Sequence, residues 1–132
     1  MNGDGDSELL VRDAGRLRII TMNRPDRMNA LTADLHHRLQ AAVVEAANDP
    51  GVGAVALTGA GRAFCSGGDV RKSSEDAASA ARPETIEERA DAVIAHGRTA
   101  VVLHRMGKPT IALSTAPRRD LAWLWRWRAT CA

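Results

Sequence analysis

Residues 55–70 read VALTGAGRAFCSGGDV. The apolar run Val52–Thr58 is typical of a short buried strand, and the glycine-dense loop Gly59–Asp69 follows it directly. Such a loop presents backbone N–H groups in a concave nest, which binds an anion such as a phosphate or a developing oxyanion. The adjacent Gly67 and Gly68 also indicate that a ligand approaches the main chain closely. The segment therefore predicts an anion site within an α/β fold.

Two nucleotide-binding motifs share features with this loop. Gly59-x-Gly61 begins the Rossmann fingerprint, but Phe64 occupies the third glycine position, and the loop follows the third predicted strand instead of the first. A P-loop requires Gly-Lys followed by Ser or Thr, which residues 59–69 lack. The loop therefore favours neither motif.

Before the loop, the sequence predicts a hairpin, a helix and a parallel strand. Glu8–Asp13 and Arg16–Met22 flank the turn signal Ala14-Gly15. Thr32 is a helix N-cap, and apolar residues follow at helical spacing: Leu35, Leu39, Ala42, Val43 and Ala46. Strand, helix and strand in this order imply a parallel pairing. Residues 1–7, rich in Gly and Asp, are expected to be disordered.

After the loop, the sequence predicts a mobile segment, a long helix and a short strand. Ser73–Pro83 is rich in Ser and Ala and is expected to be mobile. Glu84–Met106 is predicted to be a helix that ends at Gly107-Lys108-Pro109, and Thr110–Leu113 a strand. The apolar stripe of the helix is predicted to be buried and comprises Ile86, Ala90, Val93, Ile94, Gly97, Val101 and Val102.

Composition excludes several classes of function. The 132 residues, of which 45% are hydrophobic, predict a single domain, and a net charge of +2 is too small to favour nucleic acid. Cys65 and Cys131 are far apart and have no metal-ligand spacing. A polar, acidic start and the lack of a long apolar run predict a cytoplasmic protein without a membrane segment.

The histidines and Cys65 are given structural roles. His36 and His37 are predicted to lie at the surface, and His96 and His104 to be structural, because their spacing fits no metal site. Cys65 lies beside the nest, but the sequence places no His or Asn partner near it, which favours a small packed side chain over a nucleophile.

Three motifs in order resemble the crotonase family of enoyl-CoA hydratases and isomerases. They are ITMNRPDRMNALT at residues 20–32, the quoted segment 55–70, and GKPTIA at residues 107–112. The resemblance covers residues 8–113. It implies a spiral of ββα units, incomplete in this chain, that binds an acyl-CoA thioester.

The resemblance also assigns site residues. In the family, two backbone N–H groups stabilise the thioester enolate, and one of them corresponds to Gly68. Residues matching the segments that cradle the adenine and pantetheine of CoA are Asn29, Ala30, Leu31, Ser66, Gly67, Asp69 and Val70. Arg71 and Arg27 match cations near the CoA phosphates, although Arg71 with Lys72 fits a solvated helix start equally well.

By resemblance, we expect hydration of a 2-enoyl-CoA in fatty acid metabolism, with isomerisation or another enolate reaction as alternatives. Coenzyme A is part of the substrate, and no separate cofactor or metal is expected. The intact family forms trimers or hexamers. The competing class is a catalytically inactive fragment with residual CoA binding or a role in subunit interaction.

Residues 114–132 depart from the family. All three tryptophans lie here, and STAPRRDLA stands where the family has VNGxAxGxG, so that Asp120 takes the place of the second oxyanion glycine. Codons for Ser-Thr-Ala, read one nucleotide earlier, can give Val-Asn-Gly. We therefore expect an aberrant tail produced by a frameshift near residue 114, which puts the activity of this chain in doubt. The alternative is a Trp/Arg segment that binds membranes or nucleic acid.

Overall fold

The computed structural model describes residues 7–69 and 85–114. They form a sheet of four strands in the order β1-β2-β3-β4. The elements in chain order are β1 (Leu9–Ala14), β2 (Leu17–Met22), α1 (Ala33–Asn48), β3 (Ala54–Gly59), α2 (Ile86–Arg105) and β4 (Thr110–Leu113). β1 pairs antiparallel with β2, whereas β3 pairs parallel with both β2 and β4. The predicted α/β class is confirmed.

The hairpin and the parallel strand both form as predicted, with a small shift in β3. In the hairpin, Ala14 pairs with Leu17. β3 begins at Ala54, two residues later than the predicted Val52, because Val52 still belongs to the turn after α1. Its N–H donates to the carbonyl of Asp49 at 3.1 Å, so the ladder with β2 starts only after it.

Helix α1 begins and packs as the sequence predicts. Thr32 is the N-cap, and its Oγ1 accepts a hydrogen bond from the N–H of Leu35 at 3.1 Å. The predicted apolar face is buried over the sheet: Leu35, Leu39, Ala42, Val43 and Ala46. The prediction that His36 lies at the surface is wrong, since only 4% of it is exposed. It stands three residues before Leu39, on the edge of the buried face, whereas His37 points outward.

Lys108 caps the C-terminal end of α1. Its Nζ donates to the carbonyl of Ala46 at 2.6 Å and to that of Asp49 at 2.5 Å. A cation at this end satisfies carbonyls that lack helical partners and complements the helix dipole. The Gly-Lys-Pro motif therefore ties the segment after α2 to the end of α1.

A buried arginine joins the hairpin to α1. Arg18 is 7% exposed and pairs with Asp13 at 2.8 Å, Glu45 at 3.0 Å and Asp49 at 3.1 Å. The hydrogen bond to Arg18 holds the pKa of Asp13 below its ordinary value. In turn, Asp13 first and then the charges of Glu45 and Asp49 raise the pKa of Arg18, which stays charged.

Helix α2 has nearly the predicted bounds, but the predicted buried stripe is wrong. Ile86, Ile94 and Val101 are 88%, 63% and 47% exposed, and Gly97 is also exposed. Among the α2 side chains that the structure describes, the buried ones are instead Thr99 and Leu103.

The packing of α2 explains this difference. α2 contacts α1, and Thr99 and Leu103 stand four residues apart on one face. Val102 is partly buried and packs against the core, as predicted. The side chains of Ala90 and Val93 lie outside the described set. So do the predicted mobile segment 73–83, residues 1–6 of the predicted disordered start, and the tail beyond Ser114.

Within residues 7–69 and 85–114, neither helix is long and apolar enough to cross a bilayer. The same residues bring together no group of three His, Cys, Asp or Glu side chains that could hold a metal ion.

Candidate functional site

Two loops meet where parallel strands β2 and β3 end, which is where α/β sheets bind their ligands. The first loop is residues 23–32 and the second residues 60–69. An isolated parallel bridge joins Leu31 to Gly68. The N–H of Leu31 donates to the carbonyl of Gly67 at 2.8 Å, and that of Asp69 donates to the carbonyl of Leu31 at 2.9 Å. The bridge brings together residues that the resemblance assigned to the cradle.

The bridge determines where the N–H of Gly68 points. The carbonyl of Gly67 and the N–H of Gly68 belong to one trans peptide, so they point in opposite directions. Because Leu31 binds the carbonyl, the N–H of Gly68 is directed away from Leu31, as in any parallel ladder. Among the described residues, none accepts a hydrogen bond from this N–H. Gly68 is also exposed, which leaves the N–H available to a ligand.

Glycine is required at two positions, one in the second loop and one at the end of β3, for different reasons. Gly67 has φ +104°, a conformation that side-chain-bearing residues rarely adopt. At Gly59, a Cβ would overlap the carbonyls of Ala63 and Phe64 and the side-chain amide of Asn29. A Cβ added at Gly68, by contrast, would meet open space, with no heavy atom within 4 Å. Gly68 therefore presents its N–H beside open space.

Asn29 holds the two loops together. Its side chain is fully buried: Oδ1 accepts from the N–H of Arg24 at 2.8 Å, and Nδ2 donates to the carbonyls of Ala60 at 2.9 Å and Ala63 at 2.6 Å. Its φ of +56° is one that Asn tolerates better than most residues. The side chain of Asn29 therefore makes its hydrogen bonds within the protein, and only the main chain of Asn29 remains for the predicted contact with CoA.

Arg24 is a site residue that the sequence reasoning missed. Its Nη1 donates to the carbonyl of Ala30 at 2.6 Å and to Oδ2 of Asp69 at 3.1 Å, and its Nε pairs with Glu8 at 3.0 Å. The side chains of Arg24 and Asp69 are each only 15% exposed. The sequence does contain a signal for this pair, because Arg24 lies in the first motif and Asp69 follows the glycine pair of the second. Nothing in the spacing of the two residues, however, indicates that they are in contact.

The remaining predicted residues are distributed as follows. Ala30 is buried, and Leu31 and Ser66 are half-buried next to the bridge. Arg27 is exposed at the end of the 3-10 turn Pro25–Arg27. Val70 and Arg71, together with the predicted second donor position in the tail, lie outside the described residues.

Cys65 lies beside the nest, partly buried against the core, as predicted for a small packed side chain. Its Sγ accepts a hydrogen bond from the N–H of Gly67 at 3.4 Å. That contact supports the left-handed turn at Gly67.

Comparison with known proteins gives consistent matches. The model of the enoyl-CoA hydratase/isomerase family matches residues 17–115. The chain is 43% identical over 67 residues to 3-hydroxyisobutyryl-CoA hydrolase-like protein 1, mitochondrial, of Arabidopsis thaliana, a match that covers 51% of this chain and 17% of that protein. It is 52% identical over 52 residues to the probable enoyl-CoA hydratase EchA14 of Mycobacterium tuberculosis, which covers 39% of this chain and 20% of that protein.

A solved structure of an enoyl-CoA hydratase/isomerase from Xanthobacter autotrophicus Py2 superposes with a TM-score of 0.74 at 34% identity, covering 84% of this chain and 39% of that one. This likeness confirms the predicted crotonase-like fold, of which the chain forms a part. The chain spans about a fifth of the length of the two curated relatives and 39% of the solved structure.

Proposed function

The chain belongs to the enoyl-CoA hydratase/isomerase family, and on that premise we propose that it binds an acyl-CoA thioester at the bridge between its two loops. The N–H of Gly68 donates to the thioester carbonyl oxygen. The observation that carries the proposal is the Gly67–Gly68 peptide, whose carbonyl binds Leu31 and whose N–H therefore points outward. An open surface beside Gly68 gives the oxygen room to approach.

The chemistry that this donor supports is enolate formation. When a nucleophile adds to C3 of a 2-enoyl thioester, or a base removes a proton from C2, negative charge moves to the carbonyl oxygen. A pre-oriented N–H stabilises that charge without reorganising, and one such donor is typically worth about 3 kcal/mol of barrier. We propose hydration as the reaction: water adds its hydroxyl at C3, and a proton is delivered to C2. Isomerisation shares the enolate and differs in where the proton returns.

Asp69 is the carboxylate nearest to the donor in sequence, but its Oδ2 is paired with Arg24 at 3.1 Å. That oxygen already accepts a hydrogen bond from Nη1 of Arg24, so the carboxylate is engaged in a contact within the protein. We therefore assign Asp69 to holding the loop, not to proton transfer.

Binding of the CoA part completes the proposal. The main chain of residues 29–31 and 66–69 lies along the bridge, and we propose that it contacts the adenine and pantetheine. We propose that Arg27, which is exposed at the end of its turn, binds a CoA phosphate, and we propose the same role for Arg71. The substrate brings its own CoA, so we propose no separate cofactor, and we propose a homo-oligomer as in the intact family.

A second candidate is hydrolysis of a 3-hydroxyacyl-CoA thioester. A relative at 45% identity is named 3-hydroxyisobutyryl-CoA hydrolase 1, and one at 43% is named a 3-hydroxyisobutyryl-CoA hydrolase-like protein. The same N–H would serve there, because attack on the thioester carbonyl puts negative charge on the same oxygen.

The test compares Gly68→Pro with Gly68→Ala. Proline removes the N–H, whereas alanine keeps it and places its Cβ in open space. Titration with acetoacetyl-CoA, a thioester that enolises readily, reports donation to the oxygen through the enolate absorbance. We expect the proline variant to bind it at least about tenfold more weakly than the alanine variant, with equal affinity for CoA itself.

The controls separate the outcomes. Far-UV circular dichroism and thermal melting check that both variants fold like the wild type. Equal acetoacetyl-CoA affinity in two well-folded variants would show that Gly68 N–H is not the donor. Loss of the crotonyl-CoA absorbance identifies hydration, thiol release from a 3-hydroxyacyl-CoA identifies hydrolysis, and binding without either marks the inactive binder.

A further inference from the structure

One guanidinium reaches both sides of the bridge at Gly68. Arg24 donates through Nη1 to the carbonyl of Ala30, which precedes Leu31, at 2.6 Å. The same nitrogen donates at 3.1 Å to Oδ2 of Asp69, which follows Gly68. The bridge itself consists of two backbone hydrogen bonds of Leu31, one to the carbonyl of Gly67 and one from the N–H of Asp69. Arg24 therefore fastens the two strands of the bridge at the point where Gly68 lies.

The Gly67–Gly68 peptide needs such a fastening. Rotation about the bonds on either side of it would turn the N–H toward Leu31, and glycine on both sides puts no steric barrier in the way. A single hydrogen bond, from Leu31 to the carbonyl of Gly67 at 2.8 Å, opposes that rotation directly. A backbone hydrogen bond contributes only about 1 kcal/mol net. The orientation of the donor therefore depends on whatever keeps Leu31 and Asp69 in place.

Charge and burial favour Arg24 for this role. Its side chain and that of Asp69 are each 15% exposed, so their ion pair is screened less than one at the surface. We infer that Arg24, acting through Asp69 and the Ala30 carbonyl, is a positioning residue that keeps the Gly68 N–H directed at the ligand. This inference rests on the proposed function, in which that N–H binds the thioester oxygen.

Glu8 provides a matched control within the same ion-pair cluster. It also pairs with the guanidinium of Arg24, at 3.0 Å, but it lies at the start of the hairpin and not in the bridge. Truncating either carboxylate removes one partner of the same arginine. Only Asp69→Ala removes the partner that adjoins Gly68.

The experiment uses the full chain and the variants Arg24→Met, Asp69→Ala and Glu8→Ala. Amide hydrogen exchange, followed by NMR, reports the bridge through the Leu31 N–H and the global fold through an α1 amide such as Val43. Affinities for acetoacetyl-CoA and for CoA report the donor and the rest of the ligand separately. We expect Arg24→Met and Asp69→Ala to speed exchange at Leu31 about tenfold and to lower the preference for acetoacetyl-CoA over CoA about tenfold. Glu8→Ala should change neither by more than about twofold.

Three results in Arg24→Met and Asp69→Ala would overturn the inference. The first is an unchanged exchange rate at Leu31, and the second is an equal rise in the exchange rates at Leu31 and Val43. The third is faster exchange at Leu31 while the preference for acetoacetyl-CoA over CoA stays intact. A different result would refute the proposed function alone. In that case the wild type shows no preference for acetoacetyl-CoA over CoA, but Arg24→Met and Asp69→Ala still speed exchange at Leu31 and not at Val43, which supports the positioning role. The two ideas therefore fail separately.

Discussion

Helices α1 and α2 lie against each other, but only α1 buries the apolar face that its sequence predicts. In α1, all five predicted apolar positions are buried. In α2, Ile86, Ile94 and Val101 of the predicted stripe remain between 47% and 88% exposed. The buried residues among the described side chains of this helix are Thr99 and Leu103. Both helices connect neighbouring parallel strands, so topology alone does not separate them.

The two helices differ in how many side-chain contacts fix each of them in place. α1 is capped by Thr32 at one end and by Lys108 at the other, and Arg18 ties its last turn to the hairpin. α2 contacts α1 but leaves the apolar side chain of Ile86 almost entirely in solvent. Periodicity identifies a face that is suited to burial, but a partner must be present to bury it.

The largest effect is expected in the core of α1. Leu35 is fully buried in the first turn, one face of which rests over the sheet. Leu35→Ala removes buried methyl groups and leaves a cavity, which should lower the free energy of unfolding by about 2–5 kcal/mol. Urea denaturation followed by circular dichroism measures it. A loss below about 1 kcal/mol would show that α1 is no better packed than α2 and would remove the contrast between them.

A smaller effect on stability is expected at the C-terminal end of α1, which is capped by Lys108. Lys108→Met keeps most of the side-chain stem but removes the hydrogen bonds to the carbonyls of Ala46 and Asp49. Because a charged donor at a helix C-terminus satisfies unpaired carbonyls, we expect a loss of about 1–2 kcal/mol in the free energy of unfolding. Arg12→Met, on the exposed strand β1 and away from any helix end, is the charge-matched control and should change little. Equal losses in the two variants would point to net charge and not to the cap.

The charged cluster beside α1 predicts a dependence on pH. Hydrogen bonding to Arg18 lowers the pKa of Asp13 in the folded protein, so the pair stabilises the fold above the unfolded pKa of the carboxyl and loses that contribution as pH falls through the folded one. Asp13→Asn should therefore be less stable than the wild type at neutral pH, and the difference should shrink below about pH 4. Melting temperatures at several pH values test this. A difference that is constant down to acid pH would show that the carboxylate charge is irrelevant.

Sequence reasoning succeeded where neighbouring residues decide the structure. The turn at Ala14-Gly15, the cap at Thr32 and the α1 stripe are local signals, and each is found in the structure. It failed at His36, which lies on the edge of the buried face of α1, whereas the next residue, His37, is exposed. It also failed along α2, where burial depends on which element arrives as a neighbour.

At the site, the glycine loop was predictable and its supports were not. Glycine density after a strand indicated a nest, and the motifs indicated Gly68. The ion pair of Arg24 with Asp69 joins residues 45 apart in sequence, and the Asn29 amide reaches 31 and 34 residues ahead to two carbonyls. Any of several charged residues could have made such contacts, and only the fold selects among them. Gly68 stays a prediction until the proline variant is tested.

The smallest effect on stability is expected at the exposed residues of α2, where a change close to zero would support the contrast between the two helices. Ile94 is 63% exposed, so its side chain has little burial to lose. Ile94→Ala also raises helix propensity slightly, because alanine lacks the branched side chain that crowds a helix. We expect a change within about 0.5 kcal/mol in the free energy of unfolding. Leu103→Ala, on the buried face of the same helix at 3% exposure, should cost several times more. A loss at Ile94 comparable to that at Leu103 would mean that the outer face is covered in solution, and the contrast between the two helices would then disappear.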